Sequence, residues 1–519
     1  MVTHPFLFAW IESDRNTWIG PIAQLIAKGY TPSVGMECSV PKCGGLVRPA
    51  RILNLSDEVV YNALVGSMLT AIIPHIGWSQ GGPDVAYQLQ ATSNIPRWVK
   101  PWFQVWQGYI QNSLQLLDEH TEIMVVSDLS AFYENIDHHR LASDLRSIGA
   151  GGESLDLLMR CLGRWADPRG KGIPQGYSAS DILAKVYVSP IDQALRDQGF
   201  RHLRYVDDIR IFCRDGIEAK QALMCFESLV RRRGLNVQGA KTKMLSRDEA
   251  RREIDGVNPI IREIEEELRL EIGGNHPIDA PYGTLKEISD FIRESGTVPH
   301  VSVLERAFRR FFLEEAPFEK TLFRYLLRRL GAARSPIAVD YCLGRFADKP
   351  EETSDLLSYL GNISMGQEVV GPVLDYLESD EAVYDYQTFE VLRWLYKNRT
   401  CSDRIAGLCR RVSWDRNRML WLRSYAIAIL SEYGTNADHE RAEVEYANAE
   451  SHLEKADCIH CLRRMEKNRR NAFYGRAIDD GDLVRRAVIL AKSSVPVEAM
   501  QVGAEELEDM GEDTPLVAG

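Results

Sequence analysis

No stretch of this 519-residue chain is apolar for long enough to cross a bilayer. The apolar residues between Met1 and Gly20 are interrupted by Glu12, Asp14 and Arg15, and no basic segment precedes them. The pattern predicts neither a secretory signal nor a membrane anchor, so a cytoplasmic protein is expected. Basic residues are also in deficit. With 62 Lys and Arg against 74 Asp and Glu, the net charge is −12, which excludes a protein that coats nucleic acid over its whole surface. Arg231–Arg233, Arg306/Arg309/Arg310, Arg328–Arg329 and the run Arg463 to Arg470 are candidates for a local basic groove, against the alternative of solvated helix faces. Cysteines number ten at irregular spacing and are expected to be reduced thiols. Neither Cys38/Cys43 nor Cys458/His460/Cys461 has the second ligand pair that structural zinc requires, so no zinc site is expected.

What is present is ordinary globular composition, 45% hydrophobic and 26% charged, in a chain too long for a single core. Residues 1 to 256 mix strand-like runs with helices, an α+β texture. A charged helix and the linker signal Gly273-Gly274-Asn275-His276-Pro277 occupy 257–283. From 284 to 496 the periodicity is helical only. Val391-Leu392-Arg393-Trp394-Leu395 and Leu422-Arg423-Ser424-Tyr425-Ala426 echo each other about thirty residues apart, which predicts an all-α, HEAT-like helical-repeat domain or an ordinary helical bundle. The acidic tail 497–519 lacks apolar mass and is expected to be disordered.

The chemistry lies in four separated pieces. Val126-Ser127-Asp128-Leu129-Ser130-Ala131-Phe132-Tyr133 places one acid at a strand end, and Tyr205-Val206-Asp207-Asp208 places two more at the turn of a predicted hairpin. Carboxylates brought together repel unless cations neutralise them, so the pattern implies divalent metal. Two such ions roughly 4 Å apart are what phosphoryl transfer to a growing 3′ end requires. Between the acidic pieces lies Ile173-Pro174-Gln175-Gly176-Tyr177-Ser178-Ala179-Ser180, and after them Gly234-Leu235-Asn236-Val237-Gln238-Gly239-Ala240-Lys241-Thr242.

In order and spacing these pieces resemble motifs A to D of reverse transcriptases, with Tyr205 to Asp208 as a YxDD box, and the likeness covers about residues 40 to 256. The resemblance implies a fingers-palm polymerase domain over 1–256, with Asp128, Asp207 and Asp208 holding two Mg²⁺ or Mn²⁺ ions. It implies that Tyr133, beside Phe132, excludes a ribose 2′-hydroxyl, that Gln175 and Gly176 line the nascent base pair, that Tyr205 belongs to the substrate site, and that Lys241 protonates the leaving pyrophosphate. Arg48 or Arg51, in a segment resembling the fingers, would reach the triphosphate. A palm followed by a long helical domain is similar to bacterial abortive-infection and defence-associated reverse transcriptases. That likeness implies deoxynucleoside triphosphates as substrates, a DNA product, a noncoding RNA or a protein hydroxyl as partner in synthesis, self-association into homo-oligomers, and a role against bacteriophage. A retron-like or mobile-element enzyme copying a specific RNA is the alternative, and a catalytically inactive interaction scaffold is the alternative of another class.

Overall fold

The computed structural model describes residues 4–12, 15–76, 82–88, 99–100, 102–166, 169–272, 301–314 and 317–493. The expected tail, the linker from 273 onward and the start of the second part up to 300 lie outside the described residues.

A hairpin pairs β1 (Met36–Pro41) with β2 (Val47–Ile52), Met36 opposite Ile52. The strands β3 (Ile123–Ser130), β4 (Arg201–Tyr205), β5 (Asp208–Cys213), β6 (Asn236–Val237) and β7 (Lys243–Ser246) form one sheet in the order β4-β5-β3-β6, with β7 also on β3. Every pairing is antiparallel. β3 is central because Met124, Val125 and Leu129 are buried against neighbours and its backbone is paired on both edges. Of the first helices, α1 (Leu7–Glu12) belongs to the helical core beyond residue 301; around the sheet run α2 (Arg15–Gly29), α3 (Leu55–Ile72), α4 (Trp102–Asp118), α5 (His138–Ser147), α6 (Glu153–Trp165), α7 (Ser178–Asp197), α8 (Gly216–Arg232) and α9 (Arg247–Asp255), and α10 (Asn258–Ile272) leads back into that helical core. Local signals set their starts. Asp137 accepts from the Arg140 amide at 2.9 Å to begin α5, and Asp215 accepts from Ile217 and Glu218 to begin α8.

Beyond residue 301 the described residues form helices only. Six of these helices, Lys320–Ala332, Thr353–Ile363, Asp385–Lys397, Leu420–Tyr433, His452–Cys461 and Asp482–Lys492, each pack on the next. They recur at a step of about 30–35 residues. Other helices flank them: Asp403–Ser413 lies on Leu420–Tyr433, Asn436–Asn448 on His452–Cys461, and Lys467–Ala477 on Asp482–Lys492. Trp421 to Ser431 are buried without interruption, as expected of a helix covered on all sides.

The arginine clusters bind acids of neighbouring elements. Arg324 reaches Glu352 at 2.7 Å, Arg329 reaches Glu265 at 3.4 Å, and Arg463 and Arg464 both grip Glu432. Arg469 holds Glu443, and Arg233 holds Asp144. Most of these pairs tie one helix to another, so the clusters act as staples between helices.

The first helix joins the far end of this array. α1 packs on Asp482–Lys492, Phe6 stacks on His460 with ring centres 3.6 Å apart, and His4 Nε2 lies 3.0 Å from Asp457 Oδ1. Cys38 of β1 is buried in the same core as Phe6, Ala9 and Trp10, and β1 packs on Asp385–Lys397. The core therefore crosses the division expected at 256. Apolar residues at 6, 9 and 10 are too few for sequence periodicity to say which core they enter. Cys458, His460 and Cys461 are buried, and burial pushes the His460 imidazole down to about 3, so it packs as a neutral ring.

One of these staples also caps a helix. Arg410 grips Asp438 through bonds of 2.7 and 2.9 Å, while Asp438 closes a capping box with Thr435 at the start of Asn436–Asn448. The Arg410 hydrogen bonds, outweighing desolvation, bring the Asp438 carboxyl down to about 2. Asp438→Ala is expected to cost about 1–3 kcal/mol in urea unfolding near neutral pH. Because the folded pKa is depressed, that contribution is present above about pH 4 and is lost as pH falls through about 2. A penalty unchanged at the acid end of this range would contradict the assignment.

Candidate active site

Asp128 sits near the C-terminal end of β3, directly opposite Asp208, the first residue of β5. β4 and β5 are joined by Val206 and Asp207 alone, with Tyr205 paired to Asp208. A two-residue hairpin turn needs positive φ at its first central position, usually supplied by glycine. Here Val206, a β-branched residue, stands at φ +59°, a conformation that costs on the order of 1–3 kcal/mol.

The surrounding structure holds this turn. Arg204 donates from Nη1 to the Val206 carbonyl at 2.7 Å, and the Leu129 amide donates to the Asp207 carbonyl at 3.1 Å. Arg204 is buried and is itself fixed by Asp192, at 2.6 and 3.1 Å, and by Asp84 at 2.8 Å. Lys185 stands 3.2 Å from Asp84, and His202 stands 3.3 Å from Asp192. Burial opposes the Arg204 charge, but Asp192 and Asp84 outweigh it and raise the guanidinium above its ordinary range.

The acids differ in their surroundings. Lys241 Nζ lies 3.4 Å from Asp128 Oδ2, and the Gln238 amide donates to the Asp128 carbonyl at 2.7 Å. Asp207 Oδ1 is shut off from solvent and has no hydrogen-bond partner. Burial first, then the charge of Asp128, pushes the Asp207 carboxyl up to about 6, against the pull of Lys241 and Arg48. Burial pushes Asp208 up to about 7, with Asp207 and Asp128 adding to it and Arg210 opposing. Arg210 is held over the Tyr109 ring of α4 at 4.3 Å and donates to Ser113 at 3.0 Å.

Among the described residues, no three Asp, Glu, His or Cys side chains stand together as a ready metal site. The three acids all the same lie within reach of one another: Asp128 is paired with Asp208 across the strands, and its charge acts on both Asp207 and Asp208. Lys241 supplies positive charge at Asp128. The donor set nevertheless suits a divalent cation, because a buried carboxylate oxygen without a partner next to a second carboxylate is a hard, anionic pocket.

The other expected residues are distributed around the acids. Gln175 is half-buried, and Gly176 is exposed at φ +92°, where a side chain would be strained. Tyr177 accepts from the Leu53 amide at 2.9 Å, tying this loop to the end of the first hairpin. On that hairpin Arg51 pairs with Glu37 at 2.6 Å, whereas the charges of Arg48 and Lys42 act on the acid site, Arg48 on Asp207 and Lys42 on Asp128. Phe132 and Tyr133 are buried, and the Tyr133 hydroxyl donates to Asp181 at 2.7 Å. Tyr205 is buried against Trp106 and Tyr109, with ring centres 5.0 and 5.6 Å away, and stands behind the turn.

Sequence reading missed Arg204, Asp84, Asp192, Asp181 and Lys42. A signal existed for two of them, since Arg204 interrupts the strand that leads to the acid pair, and Asp181 with Lys185 at i, i+4 is charged within an otherwise apolar helix.

Residues 40–270 match the family model described as reverse transcriptase (RNA-dependent DNA polymerase). The matched segment runs from β1 into α10 and contains both acidic elements. The chain thus carries a reverse transcriptase domain, and the enzyme is an RNA-directed DNA polymerase, a nucleotidyltransferase acting on nucleotides and nucleic acid. Reverse transcriptases generally use divalent metal ions. No curated protein matches the chain. Among solved structures it is similar to telomerase from Candida albicans in complex with a TWJ fragment of telomeric RNA, at 11% identity and TM-score 0.32, over 73% of this chain and 70% of that one. It is also similar to apo telomerase from Candida tropicalis, at 11% identity and TM-score 0.32, over 74% and 72%. The form of the latter truncated of its C-terminal domain gives 14% identity and TM-score 0.29, over 45% and 55%. Among the described residues no helix is long and apolar enough to cross a membrane.

Raised carboxyls have a consequence for stability. An unfolded Asp titrates near 3.9, so between about pH 4 and 7 the folded protein binds more protons than the unfolded one. The contribution of these groups to stability therefore falls as pH rises through that window. Mg²⁺ is expected to raise Tm more at about pH 8 than at about pH 5. Asp207→Asn is expected to raise the Tm of ion-free protein at about pH 8 and to remove most of the Mg²⁺ shift. Equal Mg²⁺ shifts in variant and parent would take Asp207 out of the cation site.

Proposed function

We propose that Asp128 and Asp207, supported by Asp208, hold two Mg²⁺ ions, with Mn²⁺ as a substitute, and that the chain joins deoxynucleoside triphosphates to a 3′ end or a protein hydroxyl. The observation that carries this reading is the meeting, at one end of β3, of two half-buried acids with Lys241 and Arg48, one acid oxygen being without a partner. An inactive scaffold would gain nothing from keeping such a costly arrangement. When bound, the ions supply Lewis acidity that activates the attacking oxygen and neutralises charge on pyrophosphate.

The chain's own residues do the rest. Arg48 clamps the triphosphate, and Arg51 braces the hairpin through Glu37. Lys241 holds its ammonium beside Asp128 as the proton donor to pyrophosphate. Gln175 and Gly176 line the nascent base pair, and the edge of Tyr133 excludes a 2′-hydroxyl. Phe132 and Tyr205, buried behind the site, support it by packing. Tyr205 to Asp208 is read as a YxDD box.

The helix-pair array, with its step of about 30–35 residues, is read as HEAT-like. With the polymerase domain it supports a defence-associated enzyme acting against bacteriophage, with a noncoding RNA or a second copy of the chain as partner.

Purified protein supplied with Mg²⁺ and labelled deoxynucleotides, without template, is expected to incorporate label. Label that RNase leaves and protease releases marks protein-primed synthesis, whereas RNase-sensitive label marks templated copying of a bound RNA. Asp207→Ala with Asp208→Ala is expected to lower incorporation on the order of 10³-fold or more. Normal synthesis by the double variant would overturn the site.

A further inference from the structure

A second cluster of buried polar groups lies beside the acids. Asp181, in the first turn of α7, accepts from the Tyr133 hydroxyl at 2.7 Å and is hydrogen-bonded to Tyr87 as well. Lys185 stands one helical turn further on and adds its charge. Tyr87 has φ +44°, and Ala131, two residues before Tyr133, has φ +47°. These left-handed conformations are uncommon for side chains with a Cβ, and they gather where strain is held by surrounding bonds.

Burying a carboxyl among tyrosines costs stability, and an apolar residue would pack there at lower cost. A phenylalanine would fill the Tyr133 site equally well if its ring were only core. Tyr133 begins a single 3-10 turn, Tyr133–Asn135, so no long helix fixes the direction of its ring. Its hydroxyl does, bonded to Asp181 at 2.7 Å and to Tyr87, which is itself bonded to Asp181. Asp181 is in turn fixed by α7, whose start follows directly on Gln175 and Gly176.

We infer that Asp181 is a positioning residue for sugar selection: through the Tyr133 hydroxyl it holds the ring edge at the height where a ribose 2′-hydroxyl would sit. The inference rests on Tyr133 being the sugar gate. A gate must be stiff, because a ring free to turn aside admits the larger sugar.

The test is the ratio of kcat/KM for a deoxynucleotide to that for the matching ribonucleotide. Each variant supplies both values, so loss of folded protein cancels. Tyr133→Ala is expected to abolish most of the discrimination. Tyr133→Phe and Asp181→Ala are each expected to lower the ratio about tenfold, the range of a hydrogen bond to a charged group. The double variant Tyr133→Phe with Asp181→Ala should fall by less than the product of the two single losses, since both variants remove the Tyr133–Asp181 bond. Asp181→Asn, whose amide oxygen still accepts from Tyr133, should keep the ratio within about twofold of the parent. If Tyr133→Ala lowers the ratio while Tyr133→Phe and Asp181→Ala leave it unchanged, the gate stands and the role of Asp181 falls. An Asp181→Asn variant as permissive as Asp181→Ala would also overturn that role. If Tyr133→Ala changes nothing, the gate reading itself fails.

Discussion

Like charges crowded onto a strained turn set the terms for the rest of the polymerase domain. Asp207 and Asp208 stand on a two-residue connection whose first member, Val206, adopts a left-handed backbone. Nothing local to that turn favours its shape, because Val is poor at positive φ and adjacent carboxylates repel. The compensation comes from outside. Arg204 binds the Val206 carbonyl and is locked by Asp84 and Asp192, residues from a separate segment and from α7. Removing one member of such a buried ionic set leaves its partners uncompensated, a larger loss than any single bond represents. The network thus keeps a costly geometry that no apolar core could hold.

The same economy explains the first hairpin and the helical array. β1 packs on Asp385–Lys397, Cys38 lies in the array's core, and the Tyr384 hydroxyl donates to the Gly45 carbonyl at 3.2 Å. The opposite edge of the hairpin carries Arg48, whose charge acts on Asp207. α1 adds a second attachment near the array's other end, through Phe6 and His460. The array is therefore a packed neighbour of the hairpin whose Arg48 charge acts on Asp207.

The acids and their strands were legible because strand periodicity, an acid at the strand end and an acid pair at a turn are all short-range features. β3, β4 and β5 stand where the apolar runs put them, and the hairpin has its acids at the turn. α5 begins after Asp137, whose side chain caps it by accepting from the Arg140 amide. What escaped is long-range. Arg204 meets Asp84 across 120 residues, and Phe6 reaches His460 across most of the chain. No local pattern marks such partners. The choice between Arg48 and Arg51 was open for the same reason, since only the cross-strand register reveals that Arg51 faces Glu37. The arginine runs could be weighed only as a groove against solvated faces, because one-dimensional clustering ignores the acids that folding brings opposite them.

That last point bears on how an acidic protein handles a polyanion. Arg233, Arg329, Arg463, Arg464 and Arg469 are engaged by carboxylates, which lowers the charge these positions offer to phosphate. Positive charge acts on the polymerase site through Lys42, Arg48 and Lys241, which converge on Asp128 and Asp207 from the hairpin and from the segment after β6. Attraction confined to one end of β3 favours a short contact with a chain terminus or a triphosphate over tracking along a duplex. Few phosphates are neutralised in such a contact, so its salt dependence is shallow compared with that of a protein bound along a groove.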